Sequence, residues 1–160
     1  MITGTILPSD YLNAQRLHRA RSVRWSYLVF AGIFAVGLAI HFLSDRNIGW
    51  VVVCTSIGGV VGQLIRSTVY LPLKVRRLYN QQKDLASPFS YKWDSIFLEA
   101  QGISGQAKRE WKNYAKYKED EKLFLLYHAD NLFEMFPKSW FRDEMQVSEF
   151  REFANRAGKT

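Results

Sequence analysis

Cysteine is almost missing from this 160-residue chain. With Cys54 alone, no internal disulfide can form, which excludes the small cross-linked folds that depend on one. The thiolate sets of structural zinc sites are excluded with it. Histidine is scarce as well: His18, His41 and His128 lie far apart, and no His, Cys, Asp or Glu group falls at metal-ligand spacing. No glycine-rich stretch follows a phosphate-cradling pattern; "SIGGVVG" sits in an apolar run and "QGISGQ" reads as a loop between strands. No Ser/His/Asp arrangement stands out, and Glu119-Asp120-Glu121 reads as a solvated turn rather than a catalytic carboxylate pair. The expectation is a protein that is not an enzyme and carries no cofactor or metal.

Charge is missing from two long stretches. Trp25–Leu43 and Asn47–Ile65 are nineteen residues each, without one Asp, Glu, Lys or Arg. A membrane helix needs about 20 predominantly apolar residues. A core helix would show a polar face, and "WSYLVFAGIFAVGLAIHFL" has none. The runs therefore predict a transmembrane hairpin, with spans at about 25–43 and 48–65 and the polar "SDRN" as its tip. A cleaved secretion signal is not expected, because a polar segment precedes the first run and a second follows at once. With no Asp, Glu, Lys or Arg inside either span, an ion relay has no members, which argues against a transporter or channel. Cys54 reads as a small apolar residue within the second span.

The net charge of +7 resides entirely in the first half: residues 1–85 hold ten Lys/Arg against three Asp/Glu, and residues 86–160 hold twelve of each sign. Arg16, Arg19, Arg21 and Arg24 precede the first span; Arg66, Lys74, Arg76, Arg77 and Lys83 follow the second. By the positive-inside rule both termini face the cytoplasm and the tip faces outward. Membrane flanks account for the basicity, so no nucleic-acid partner is expected. The arginines are suited to attract anionic membrane lipid. Ala31 with Ala35, Thr55 with Gly59, and Gly58 with Gly62 place small residues one turn apart. This spacing predicts close helix packing, within the hairpin or in a homo-oligomer.

Outside the spans, "MITGTIL" has a weak strand pattern, Pro8 ends it, and Ser9 is a candidate N-cap for a basic interfacial helix up to residue 24. The helix after Arg66 continues past a kink expected near Pro72, and a linker follows, up to residue 87. Residues 88–160 then read as a small α+β domain. Its strands are "FSYKW", "SIFLEAQ", "SGQAKREW", "NYAKYKE", "KLFLLYH" and "LFEMF". Asp143 with Gln146 resembles a capping box opening a helix whose Met145, Val147, Phe150, Phe153, Ala154 and Ala157 share one face. The strand at Ile2–Leu7 is predicted to join this sheet.

"EWKNYAKYKEDEKLFLLYHADNLFEMFPKSWF" resembles the YcxB-like family of small bacterial membrane proteins, through Trp111, Glu119, Leu125-Leu126-Tyr127, Pro137-Lys138, Phe141 and the helix from Asp143. "LYNQQKDL" and the basic-flanked hairpin look like the family too. The resemblance implies two membrane helices in the bacterial inner membrane and a cytosolic domain similar to the pleckstrin-homology-like fold, a bent antiparallel sheet closed by the C-terminal helix. It implies no activity. Lys138, Trp140, Phe141 and Trp111 are the candidate partner surface, since Trp and Tyr suit interfaces and a lysine can meet a phosphate or acidic partner. The expected function is an inner-membrane hairpin protein presenting a non-catalytic binding module to a protein partner or lipid headgroups. The alternative is an immunity protein neutralising a toxin that acts at the inner membrane.

Overall fold

The computed structural model describes residues 1–44, 46–81, 87–103 and 105–157. Asp45 of the polar tip, residues 82–86 of the expected linker, Ser104 and residues 158–160 lie outside it. Two compact units divide the chain: Met1–His18 with Val75–Thr160, and Arg19–Lys74. The N-terminal segment, expected to be a strand joining the C-terminal sheet and then a basic interfacial helix, belongs up to His18 to the same unit as the C-terminal domain.

The chain opens with β1 (Ile2–Thr5) and enters α1 (Pro8–Leu43), one unbroken helix of 36 residues. Pro8 occupies the first helical position, where its missing N–H costs nothing. Asp10 reaches back to accept the Leu7 N–H at 3.0 Å, so the N-terminus is held by Asp10 and not by Ser9 as the sequence suggested. α2 (Arg46–Ile65) follows, then a π-helical turn (Arg66–Tyr70) and α3 (Leu71–Gln81). The π turn has a local cause. Pro72 offers no N–H and its ring would crowd the carbonyl four residues back, so the chain widens one turn early and the Leu71 N–H bonds to Arg66 O. Ser67 and Thr68 also donate to Leu64 O, at 3.0 and 2.8 Å.

Within the helical unit, α1 and α2 approach through glycines. A Cβ on Gly49 would lie 2.5 Å from the backbone of His41, one on Gly37 would lie 3.0 Å from the Val53 backbone, and one on Gly59 would meet the Phe30 ring. This corrects the packing expectation for the hairpin. Gly58 and Gly62 face open space, and Ala31, Ala35 and Thr55 are exposed; of the residues singled out, only Gly59 lies at the contact.

The remaining strands are β2 (Pro88–Trp93), β3 (Phe97–Gly102), β4 (Gly105–Glu110), β5 (Lys116–Glu119), β6 (Leu123–Ala129) and β7 (Leu132–Pro137), with α4 (Glu144–Ala154) last. They form two antiparallel sheets, β1-β2-β3-β4 and β5-β6-β7, where one bent sheet was expected. Between β4 and β5 the residues Trp111–Asn113 form a 3-10 turn, which shortens the predicted "NYAKYKE" strand to its last four residues. The N-terminal strand does join: Ile2 pairs with Tyr91 and Gly4 with Phe89.

β6 explains the unbroken apolar "LFLLY", because both of its faces are covered. Phe124 and Leu126 join Phe136, Val147 and Phe150 in one core, while Leu123, Leu125 and Tyr127 pack in a second core with Ile6, Ala14 and Tyr79. α4 turns Val147, Phe150 and Ala154 inward. Met145, placed on that face by the sequence reading, is 82% exposed. At about 100° per residue it falls nearly opposite the buried set.

Candidate functional site

The four residues picked out as a partner surface occupy three different settings. Trp111 is 2% exposed, donates its indole N–H to Asp94 O at 2.9 Å and lies edge-on to Phe150. Phe141 is buried in the same core. Both are thus removed from the candidate surface, because each fills space between the sheets and α4. Trp140 is half-buried, stacks on Tyr91, and covers Gly4 so closely that a Cβ there would sit 2.3 Å from the indole. A glycine inside a strand often marks such an approach. That was the available signal for the Trp140 position.

Lys138 is paired. Its Nζ lies 2.6 Å from Glu119 Oε1 and 5.0 Å from the Phe124 ring centroid. Arg151 of α4 grips the same carboxylate, Nη2 at 2.6 Å from Oε1 and Nε at 2.9 Å from Oε2. Burial raises the Glu119 pKa, but the Arg151 and Lys138 hydrogen bonds and charges outweigh that and hold it below the usual carboxylate range. Read from sequence, Glu119 was part of a solvated acidic turn. It is instead the clasp that ties β5 to the Pro137–Trp140 segment and to α4. Nothing in the local sequence shows this, because its two partners lie 19 and 32 residues away.

A second polar network lies between strands of the two sheets. Arg109 of β4 donates to His128 Nδ1, which leaves Nε2–H to donate to Glu134 Oε1 at 2.8 Å. Tyr114 donates to the other Glu134 oxygen at 3.2 Å. Burial, then the Glu134 charge, pushes both the Tyr91 and Tyr114 hydroxyls upward in pKa. On the other side of the three-stranded sheet, burial raises Tyr127 to about 12, and its hydroxyl meets His18 Nδ1 at 3.1 Å. Among the described residues no buried side-chain polar atom lacks a partner, and no group of three His, Cys, Asp or Glu could hold a metal. These networks satisfy themselves.

Residues 90–154 match the family model described as YcxB-like protein. The C-terminal domain is YcxB-like. The match begins in β2 and ends at the last residue of α4, so it leaves out β1 and the long helices. Neither the curated proteins nor the solved structures yield a significant match to the chain.

What the YcxB-like domain leaves accessible is the outer face of its four-stranded sheet. The pairing register sets Ser90, Gln101 and Gln106 in one row, and Lys92, Glu99 and Lys108 in the next. They line a shallow polar depression of about 340 Å³. Lys108 lies 2.6 Å from Glu99 and over the Phe97 ring, and the Glu99 hydrogen bond raises its pKa. Lys92 has no ion pair or side-chain hydrogen bond among the described residues. Outside the domain match, Arg16, Arg21, Arg24, Arg66, Lys74, Arg76 and Arg77 are exposed and Arg19 is half-exposed.

Proposed function

We propose that this chain is a membrane-anchored adaptor of the bacterial inner membrane: the helical hairpin spans the bilayer, and the YcxB-like domain, at the cytosolic face, binds a protein partner without catalysing a reaction. One observation carries the reading. Pro8–Leu43 and Arg46–Gln81 are long and apolar enough to cross a membrane, and their most apolar windows are only 6% and 17% buried. A soluble protein would cover such helices with its own core. Lipid supplies the missing cover, and the basic residues lie next to the apolar runs on the side away from the tip.

Tethering confines the domain to a thin layer at the membrane, which raises its effective concentration toward partners at the same surface. The seven strands in sheets of four and three, closed by α4, support a pleckstrin-homology-like architecture for this domain. Such a scaffold hosts many tasks, so the partner has to be identified directly. The experiment is copurification of the tagged full-length chain from native membranes after crosslinking in living cells. Recovery of one protein in near-equal amount is the expected result, and a toxin in that place would convert the adaptor into an immunity protein. Lipid with no enriched protein would overturn the adaptor reading.

A further inference from the structure

The cations of this chain divide into two populations. In the YcxB-like domain most are matched inside the fold: Lys108 with Glu99, Lys112 with Glu110, Lys116 with Asp130, and Lys138 and Arg151 with Glu119. On the helices flanking the apolar runs the opposite holds. Arg19, Arg21 and Arg24 of α1, and Lys74, Arg76 and Arg77 of α3, make no ion pair among the described residues. The sequence leaves them no local partner. No Asp or Glu occurs between Tyr11 and Ser44, or between Arg46 and Lys83. Like charges this close on a helix repel and destabilise it unless something neutralises them.

We propose that each of these two basic stretches binds anionic phospholipid headgroups, with the lipid phosphates as the missing counter-charges. The inference rests on the membrane reading above and names the lipid class at the base of the hairpin. Geometry favours it. Arg24 immediately precedes the first apolar run, and Arg16 lies roughly 12 Å further along the same helix at 1.5 Å per residue. That interval covers the headgroup layer and part of the screening length of about 8 Å beyond it. A guanidinium offers a planar fork of donors to two phosphate oxygens, and five of the six named cations are arginines. The π-helical turn precedes Lys74, Arg76 and Arg77, so the rotation of that triplet about the helix is set by the extra residue in the turn.

The test uses the full-length chain in detergent, titrated with phosphatidylglycerol or phosphatidylcholine, with bound lipids counted by native mass spectrometry. The wild type is expected to prefer phosphatidylglycerol at low salt and to lose that preference as salt rises. Replacing Arg19, Arg21, Arg76 and Arg77 by Gln should weaken the preference by roughly five-fold per cation removed. The matching Arg→Lys variant should keep most of it. Equal binding of the two lipids by the wild type, or an undiminished preference in the Gln variant, would overturn the proposal. So would loss of the preference to inorganic phosphate at constant ionic strength, which would make the stretches free-phosphate sites. A parallel alkaline wash of membranes separates the two failures. A chain washed off the membrane refutes the anchor, whereas a retained chain without lipid preference refutes only the headgroup binding.

Discussion

Glu119 is the residue on which charge and fold meet. Its carboxylate takes hydrogen bonds from Lys138 and Arg151 while most of it is out of water. Each charge-assisted bond contributes about 1.5–3 kcal/mol in favourable cases. Glu119→Ala leaves two cations facing each other, so a loss of about 2 kcal/mol is expected, measured as a lowered unfolding midpoint of the full chain in detergent. The pH dependence has a definite sign. A carboxylate held below its unfolded value contributes stability at neutral pH, and that contribution is lost as pH falls from about 4.5 through the lower folded value. Glu119→Gln should flatten the acid limb of the stability profile; an unchanged limb would rule the clasp out. Phe150 carries the apolar side of the same junction. It is fully buried, with Trp93, Trp111, Phe124, Phe136 and Phe141 all within 5.0–5.4 Å between ring centres. Phe150→Ala removes the ring that the other five share, and about 3–5 kcal/mol is expected to go with it. Loss of the near-ultraviolet circular dichroism signal is the readout.

Among the elements, legibility followed the range of the interactions. α4 was readable because its start is local: Asp143 accepts the Gln146 N–H at 2.9 Å. In the structure Gln146 returns the bond to the Arg142 N–H at 2.9 Å, one residue earlier than a standard capping box would place it. The strands were readable from their alternation and turn residues, apart from the stretch after Trp111, where a 3-10 turn ending at Asn113 delays the strand to Lys116. The candidate surface was not readable. Trp111 and Trp140 are the same residue type, yet one is sealed in the core against Phe150 and Phe153 of α4 and the other lies along Gly4 of β1, and both sets of partners are distant in sequence. The hairpin contact was misplaced for a related reason. Small residues at i and i+4 mark a face open to approach, but which face makes the contact depends on helix rotation, and Gly37 and Gly49 join Gly59 there while Gly58 and Gly62 do not. Gly49→Ala puts a methyl against His41 backbone, where neither helix can yield by turning a side chain, so the helices must separate. Weaker crosslinking between cysteines introduced at positions 38 and 52 is expected. Gly58→Leu, in open space, should leave that crosslinking intact.

For the whole molecule, connectivity constrains the membrane arrangement more tightly than hydropathy does. β1 pairs with β2, so the chain departs from one sheet, builds both long helices and comes back to the same sheet. If the helices cross a bilayer, only an even number of crossings lets those two strands meet, and two apolar runs provide it. Under the membrane reading the pairing thus keeps both ends of the hairpin on one side of the bilayer, independently of the arginine distribution. It also makes the domain depend on a segment far from its own sequence, since Ile2 is 2% exposed in the core that holds Tyr91, Phe136 and Phe150. Ile2→Asp places a charge there without a partner and is expected to cost about 3 kcal/mol or more. The hairpin does not use that contact. The variant should therefore stay in the membrane through an alkaline wash while its YcxB-like domain becomes sensitive to protease. A domain as resistant as the wild type would mean that β1 contributes nothing to the sheet, and the even-crossing argument would fall with it. Reporters bear on the same point from outside: a fusion after Thr160 should be active only in its cytosolic form, and one placed in the tip at Ser44 only in its periplasmic form.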